Sequence, residues 1–187
     1  MYKMLVIGLS AGGIPLINRI LQALPQGYPL PVAIVAHLPG GRESCLAEML
    51  DGITQLPVRN AVDKEEIIAG HVYLAPPDYH LLVEQGQHFA LSVDAPVMSV
   101  RPSINVLFES AAEVYAEELI AVLLSGANSD GAEGMAYVKQ LGGLSIVLDP
   151  HECEFNTMSS AAIKRSDVDY IASMEEIISL LLSVHEP

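Results

Sequence analysis

Ser10, His37 and Asp130 are residues of the types that nucleophilic catalysis needs. A serine hydroxyl is a weak nucleophile at neutral pH until a base takes its proton, and imidazole is suited to that task. A carboxylate behind the imidazole fixes its tautomer and steadies the imidazolium. Ser10 lies in Gly8-Leu9-Ser10-Ala11-Gly12-Gly13, where Gly8-x-Ser10-x-Gly12 fits the pattern of a serine on a sharp strand-to-helix turn. Backbone N–H groups in such turns can meet a developing oxyanion, and those of Ala11 and Ala127 are the candidates. A plainer reading stands beside each residue: a turn serine, a loop histidine, and Asp130 before Gly131 as a helix N-cap. The glycine-rich opening also suits a phosphate cradle at a helix N-terminus. A dinucleotide fingerprint, however, would need glycine where Ser10 stands and an acidic residue where His37 stands.

The elements that must position these residues follow from apolar patterning. Lys3–Gly8 is a short apolar run ending at glycine, and Ile14, Ile17, Ile20, Leu21 and Leu24 recur at helical spacing until Pro25-Gln26-Gly27. Pro31–Ala36 is a continuous apolar run, the mark of a strand covered on both faces, and it ends at His37. Leu38-Pro39-Gly40-Gly41 reads as a loop. A helix is expected over Glu43–Leu50, with Leu46, Met49 and Leu50 inward. This β-α-β-α order implies parallel strands joined by right-handed crossovers, with ligands gathering beyond the carboxyl ends of the strands.

The middle of the chain differs. Leu56–Ala61, His71–Ala75, Tyr79–Glu84 and Phe89–Val93 are short strand candidates, with a hairpin turn at Glu84-Gln85-Gly86-Gln87. An antiparallel extension of the parallel sheet is the simplest account. The alternation then resumes. Pro102 suits the first turn of a helix whose buried stripe is Ile104, Leu107, Phe108, Ala111, Ala112 and Tyr115. Leu119–Leu124 is a second doubly buried strand, ending in Ser125-Gly126-Ala127-Asn128-Ser129-Asp130-Gly131, with a helix following to about Leu141. A strand at Leu144–Leu148, a helix near Met158–Arg165, a strand at Val168–Ala172 and a helix at Glu175–Val184 complete the chain. The expected fold is one doubly wound α/β domain spanning residues 1–187, a mostly parallel sheet with helices on both faces and an antiparallel hairpin extension. Ser10, His37 and Asp130 would then share one sheet edge.

Composition narrows the function classes. The 187 residues are 51% hydrophobic and 17% charged, a globular balance. No apolar run approaches the ~18–20 residues of a membrane span, and the start of the chain lacks the pattern of a signal peptide. A net charge of −14 makes the chain a poor candidate for nucleic-acid binding through phosphates. Cys45 and Cys153 have no metal-ligand spacing and are read as reduced thiols in a cytoplasmic protein. The residue order also excludes one familiar fold: α/β-hydrolases run serine, acid, histidine, whereas here the order is Ser10, His37, Asp130.

Five ordered blocks carry a family resemblance: Ile7–Gly13; His37-Leu38-Pro39; Gly70–Pro76 with His80; Arg101–Phe108; and Leu123–Gly134. Together they resemble the catalytic domain of the chemotaxis-receptor methylesterases, the CheB family, over nearly the whole chain from about Lys3 to Leu182. The resemblance implies hydrolysis of glutamate γ-methyl esters on the cytoplasmic helices of bacterial chemoreceptors, with release of methanol, and deamidation of certain receptor glutamines. Matched position by position, the family's triad falls on Ser10, His37 and Asp130, and its oxyanion donors on the N–H groups of Ala11 and Ala127. No metal or organic cofactor is expected, and the protein is expected to be a monomer. The departures are Gly126-Ala127-Asn128 where the family usually has Gly-Met-Gly, Met98-Ser99-Val100 before Arg101-Pro102-Ser103, and Thr157-Met158-Ser159 for Gly-Met-Pro. They bear on substrate identity more than on chemistry. Members commonly carry an N-terminal receiver domain, and none is expected in this chain. The other readings are the same chemistry on another ester or amide, and a non-catalytic signalling domain.

Overall fold

The continuous apolar runs become the centre of a sheet. The computed structural model describes residues 1–37 and 45–184. In chain order its elements are β1 (Met4–Leu9), α1 (Ile14–Ala23), β2 (Val32–Ala36), α2 (Leu46–Asp51), β3 (Val58–Asn60), β4 (Val72–Leu74), β5 (His80–Glu84), β6 (His88–Ser92), α3 (Ile104–Tyr115), β7 (Leu119–Leu123), α4 (Ala132–Gln140), β8 (Leu144–Leu148), α5 (Thr157–Arg165), β9 (Tyr170–Ala172) and α6 (Met174–Ser183). Seven strands form one parallel sheet in the order β3-β4-β2-β1-β7-β8-β9. Every residue of β1, β2 and β7 is buried. Strands with no solvent face have no reason to alternate polar and apolar side chains, and these do not.

Alternate residues feed two cores. Leu5, Ile7 and Leu9 point into one with α1, α2 and α6. Met4 and Val6 point into the other with α3, α4, α5 and the β5–β6 hairpin. The sheet is therefore covered on both sides. The chain moves outward from β1 through β2 to one edge, then returns to add β7, β8 and β9 on the other. The strand order thus reverses at β1, which creates a crevice beyond its carboxyl end.

Three expectations are adjusted. The hairpin exists with the expected turn, but β5 and β6 form a two-stranded sheet of their own. It is fastened to α3 by the Val83 N–H donating to Ser110 Oγ at 3.1 Å, while β3 and β4 join the main sheet in parallel. Pro102 precedes α3 rather than opening it; Ser103 is the N-cap, its hydroxyl accepting from the Val106 N–H. Met49 faces outward, 44% exposed, whereas Leu46 and Leu50 are buried. α2 is described from Leu46, so Leu38-Pro39-Gly40-Gly41 and the helix start expected at Glu43 lie outside the described residues. Among the described residues no helix is long and apolar enough to cross a membrane.

Candidate active site

Strand register brings the first two residues together. β1 and β2 pair up to Leu9 opposite Ala36, and the His37 N–H donates to the Leu9 carbonyl at 3.0 Å. Ser10 and His37 are each the next residue, on strands about 4.8 Å apart. On the other side of β1, Gly8 pairs with Leu123, and the Ser10 N–H donates to the Ser125 carbonyl at 2.9 Å. Ser10 therefore sits between His37 and the β7 loop, at the crevice where the strand order reverses.

Ser125 locks this turn from within. Its buried hydroxyl donates to the Ala11 carbonyl at 2.8 Å and accepts from the Phe155 N–H at 3.2 Å. Three loops, after β1, β7 and β8, are thus fastened to one side chain. The N–H groups of Ala11 and Ala127 have no protein acceptor among the described residues. Unpaired donors at the mouth of the turn are what an oxyanion site requires.

Asp130 comes to His37 from the β7–α4 loop. Its Oδ2 lies 3.2 Å from His37 Nε2, with the carboxylate fully buried and the imidazole 11% exposed. The approach is close but not linear, for Nε2 makes no aligned hydrogen bond. Such contacts often tighten only when substrate is bound. Burial pushes the Asp130 carboxyl up, but His37, the Ile104 N–H and the Ser103 hydroxyl outweigh it and hold the group below the usual carboxylate range. An ionised carboxylate can only accept, so in a neutral imidazole the proton belongs on the facing Nε2, which leaves the lone pair on Nδ1. Nδ1 is met by the Asn128 Nδ2 at 3.5 Å, and Asn128 Oδ1 accepts the Asp130 N–H at 3.1 Å. No hydrogen bond among the described residues joins Ser10 Oγ to His37.

Asp130 also caps a helix, though not the one its position suggests. The N-cap of α4 is Gly131, left-handed and with no side chain of its own to cap the helix. The carboxylate instead accepts from the N–H groups of Ile104 (2.6 Å) and Asn105 (3.2 Å) at the start of α3, and from Ser103 Oγ (2.8 Å). The N-terminal end of a helix dipole favours an anion there. Gly131, at φ 95°, lets the chain turn back beside α3; a Cβ would lie 2.6 Å from Leu123 Cδ1 and 2.9 Å from Ile104 Cγ2. Ser103 is in turn held by His80, 2% exposed, whose Nδ1 accepts the Ser103 N–H at 3.2 Å.

Sequence reasoning assigned no role to Ser103, Asn105, Ser125 or His80. One signal was present: a serine directly before the apolar helix of Ile104 is an N-cap pattern. Among the described residues no cluster of His, Cys, Asp or Glu could hold a metal ion.

Comparison with known proteins identifies the family. The profile of the CheB methylesterase family matches residues 5–181. A Leptospira interrogans protein, provisionally named a protein-glutamate methylesterase/protein-glutamine glutaminase, is 43% identical over 99% of this chain and 96% of its own length. A Thermotoga maritima protein named for the same two activities is 35% identical over 97% of this chain and 54% of its own length. A Chromohalobacter salexigens protein, also so named, is 37% identical over 92% of this chain and 50% of its own. The chain thus spans nearly all of the first relative and about half of the other two. The crystal structure of the Thermotoga maritima CheB methylesterase catalytic domain superposes with a TM-score of 0.93 at 35% identity, covering 98% of this chain and 99% of that one. A family profile matched over nearly the whole chain, together with the shared fold, shows that the chain belongs to the CheB methylesterase family.

Proposed function

We propose that this protein is a serine hydrolase that removes glutamate γ-methyl esters from bacterial chemoreceptors with release of methanol, and that it also deamidates receptor glutamines. Ser10 is the nucleophile, His37 the base and Asp130 the carboxylate behind it. Ser10 Oγ attacks the ester carbonyl carbon while its proton passes to His37 Nδ1. The N–H groups of Ala11 and Ala127 receive the oxyanion. Collapse breaks the bond to methoxide, His37 returns the proton, and methanol leaves. Water then attacks the glutamyl ester of Ser10 by the same route and regenerates the hydroxyl. The Asn128 amide beside Nδ1 must give way when Ser10 donates.

The observation that carries this reading is the buried, ionised Asp130 at 3.2 Å from His37 Nε2, beside a register that runs Ser10 and His37 out of neighbouring strands. The names of the relatives support the substrate class. On this reading the enzyme works as a monomer in the cytoplasm, on the methylated cytoplasmic helices of receptors, and the domain built on the seven-stranded sheet is the whole catalytic unit. The test is methanol release from methylated chemoreceptor. Ser10→Ala is expected to reduce it by at least about 10³-fold while leaving the fold intact. Unchanged release would overturn the assignment of Ser10.

A further inference from the structure

We propose that Asn105 is a positioning residue for the hydrolysis: through its side-chain amide it fixes the peptide that carries Asp130, and so the carboxylate against His37. The proposal rests on the reading of Asp130 as the third member of the triad.

Asn105 is 4% exposed, a polar residue within the apolar stripe of α3. Its Oδ1 accepts two N–H groups of the α4 start, Gly131 at 2.9 Å and Gly134 at 2.8 Å. These are among the donors that no intrahelical carbonyl can satisfy. Its own N–H donates to Asp130 Oδ1 at 3.2 Å. The two helices therefore exchange caps. The carboxylate just before α4 caps α3, and an amide from the first turn of α3 caps α4.

This exchange is what sets the carboxylate. Asp130 is joined to Gly131 by a peptide bond, and that peptide is clamped by Asn105 Oδ1 on one side while the carboxylate is clamped by the α3 terminus on the other. Close helix approach is a condition of the arrangement: a Cβ on Gly134 would lie 3.0 Å from Asn105 Cα and 2.8 Å from Phe108 Cβ. Without the Asn105 amide, the Gly131 and Gly134 donors would be buried without partners, and the loop would relax to find others. Asp130 would then drift from Nε2, and displacements near 1 Å are costly to a preorganised site, on the order of 10²-fold in rate.

The experiment measures kcat and KM for methanol release from methylated receptor, and the imidazole resonances of His37 by NMR, in the wild-type protein and in Asn105→Ala, Asn105→Asp and Asp130→Asn. Asn105→Ala is expected to lower kcat by roughly 10- to 100-fold with KM within about twofold, and to move the His37 resonances toward those of Asp130→Asn. Asn105→Asp keeps an acceptor at the same place and is expected to recover most of the turnover and the wild-type resonances. A purely structural role would lower thermal stability in Asn105→Ala without that kcat split or that spectral shift. Wild-type kcat and resonances in a folded Asn105→Ala would overturn the proposal. If Asn105→Ala does not fold, failure of Asn105→Asp to retain turnover and the His37 signature overturns it instead. If Asp130→Asn itself retains full turnover, the triad reading fails, and the proposal falls with it for that separate reason.

Discussion

Ser10 and His37 are held by a sheet, Asp130 by the ends of two helices. The first two extend β1 and β2 by one residue, and backbone hydrogen bonds to Ser125 and Leu9 carry the register past the last pair. No side chain is needed to bring them side by side. The carboxylate lies on a loop and depends on Ser103, Ile104 and Asn105 for its place. A strand position is over-determined by the whole ladder, whereas a buried polar network loses much when one member goes. Ser10 and His37 should therefore tolerate changes in their surroundings better than Asp130 does.

The largest break in this contrast is Asp130→Asn. Turnover is expected to fall by about 10³–10⁴-fold, measured as methanol release, and stability at neutral pH to fall as well, measured by urea unfolding. The pH dependence has a definite sign. The folded-state carboxyl is held below its usual range, so its contribution is present above the unfolded value of about 3.9 and is lost as pH falls through the lower folded value. The stability gap between wild type and Asp130→Asn should therefore narrow below about pH 4; a gap constant from pH 7 to pH 3 would count against an ionised Asp130.

Ser125→Ala probes the sheet side. It removes the hydroxyl but leaves the Ser125 carbonyl that receives the Ser10 N–H. Stability should fall by about 1–3 kcal/mol, because the Phe155 N–H and the Ala11 carbonyl lose their partner on the buried Ser125 side chain, while kcat falls less than about tenfold. A loss as large as that of Asp130→Asn would erase the distinction between the two regions.

The smallest effect is expected from Asn128→Asp. The acceptor for the Asp130 N–H is kept, while the amide facing His37 Nδ1 becomes a carboxylate. An added anion favours the imidazolium, whereas the proposed mechanism needs the neutral ring. The acid limb of the rate profile should move upward, by about one pH unit or less at a half-exposed position. An acid limb that stays in place would separate Asn128 from His37.

Much of this arrangement was legible in the residues. Continuous apolar runs at Pro31–Ala36 and Leu119–Leu124 read as strands buried on both faces, and Ser10 and His37 follow from where the runs Lys3–Gly8 and Pro31–Ala36 stop. Helical spacing gave every apolar residue of the buried stripe of α3, though not the buried Asn105 among them. What escaped was decided by contacts between distant segments. β3 and β4 are three-residue strands, too short for a pattern to dictate their partners; the main-chain bonds from Val72 to Pro57 and from Ala61 to Leu74 set them parallel. Asp130 has the composition of an N-cap for α4, and it does cap a helix, but the left-handed Gly131 turns it toward α3. Asn105 gave a weaker signal, a polar residue among buried apolar ones, which acquires meaning only once α4 lies alongside.

The reversal of strand order at β1 has a consequence for how the enzyme is made. The two neighbours of β1 come from opposite ends of the chain's itinerary: β2 is available almost at once, and β7 only after most of the sequence has been synthesised. Contacts between segments so far apart in sequence form late and slowly. A nascent chain that has paired β1 with β2 already holds a serine beside a histidine, but it lacks Asp130 and the Ala127 N–H, both of which arrive with the loop after β7. On the proposed assignment, hydrolysis therefore waits on the completion of the sheet, because topology alone keeps Asp130 out of a partly made chain.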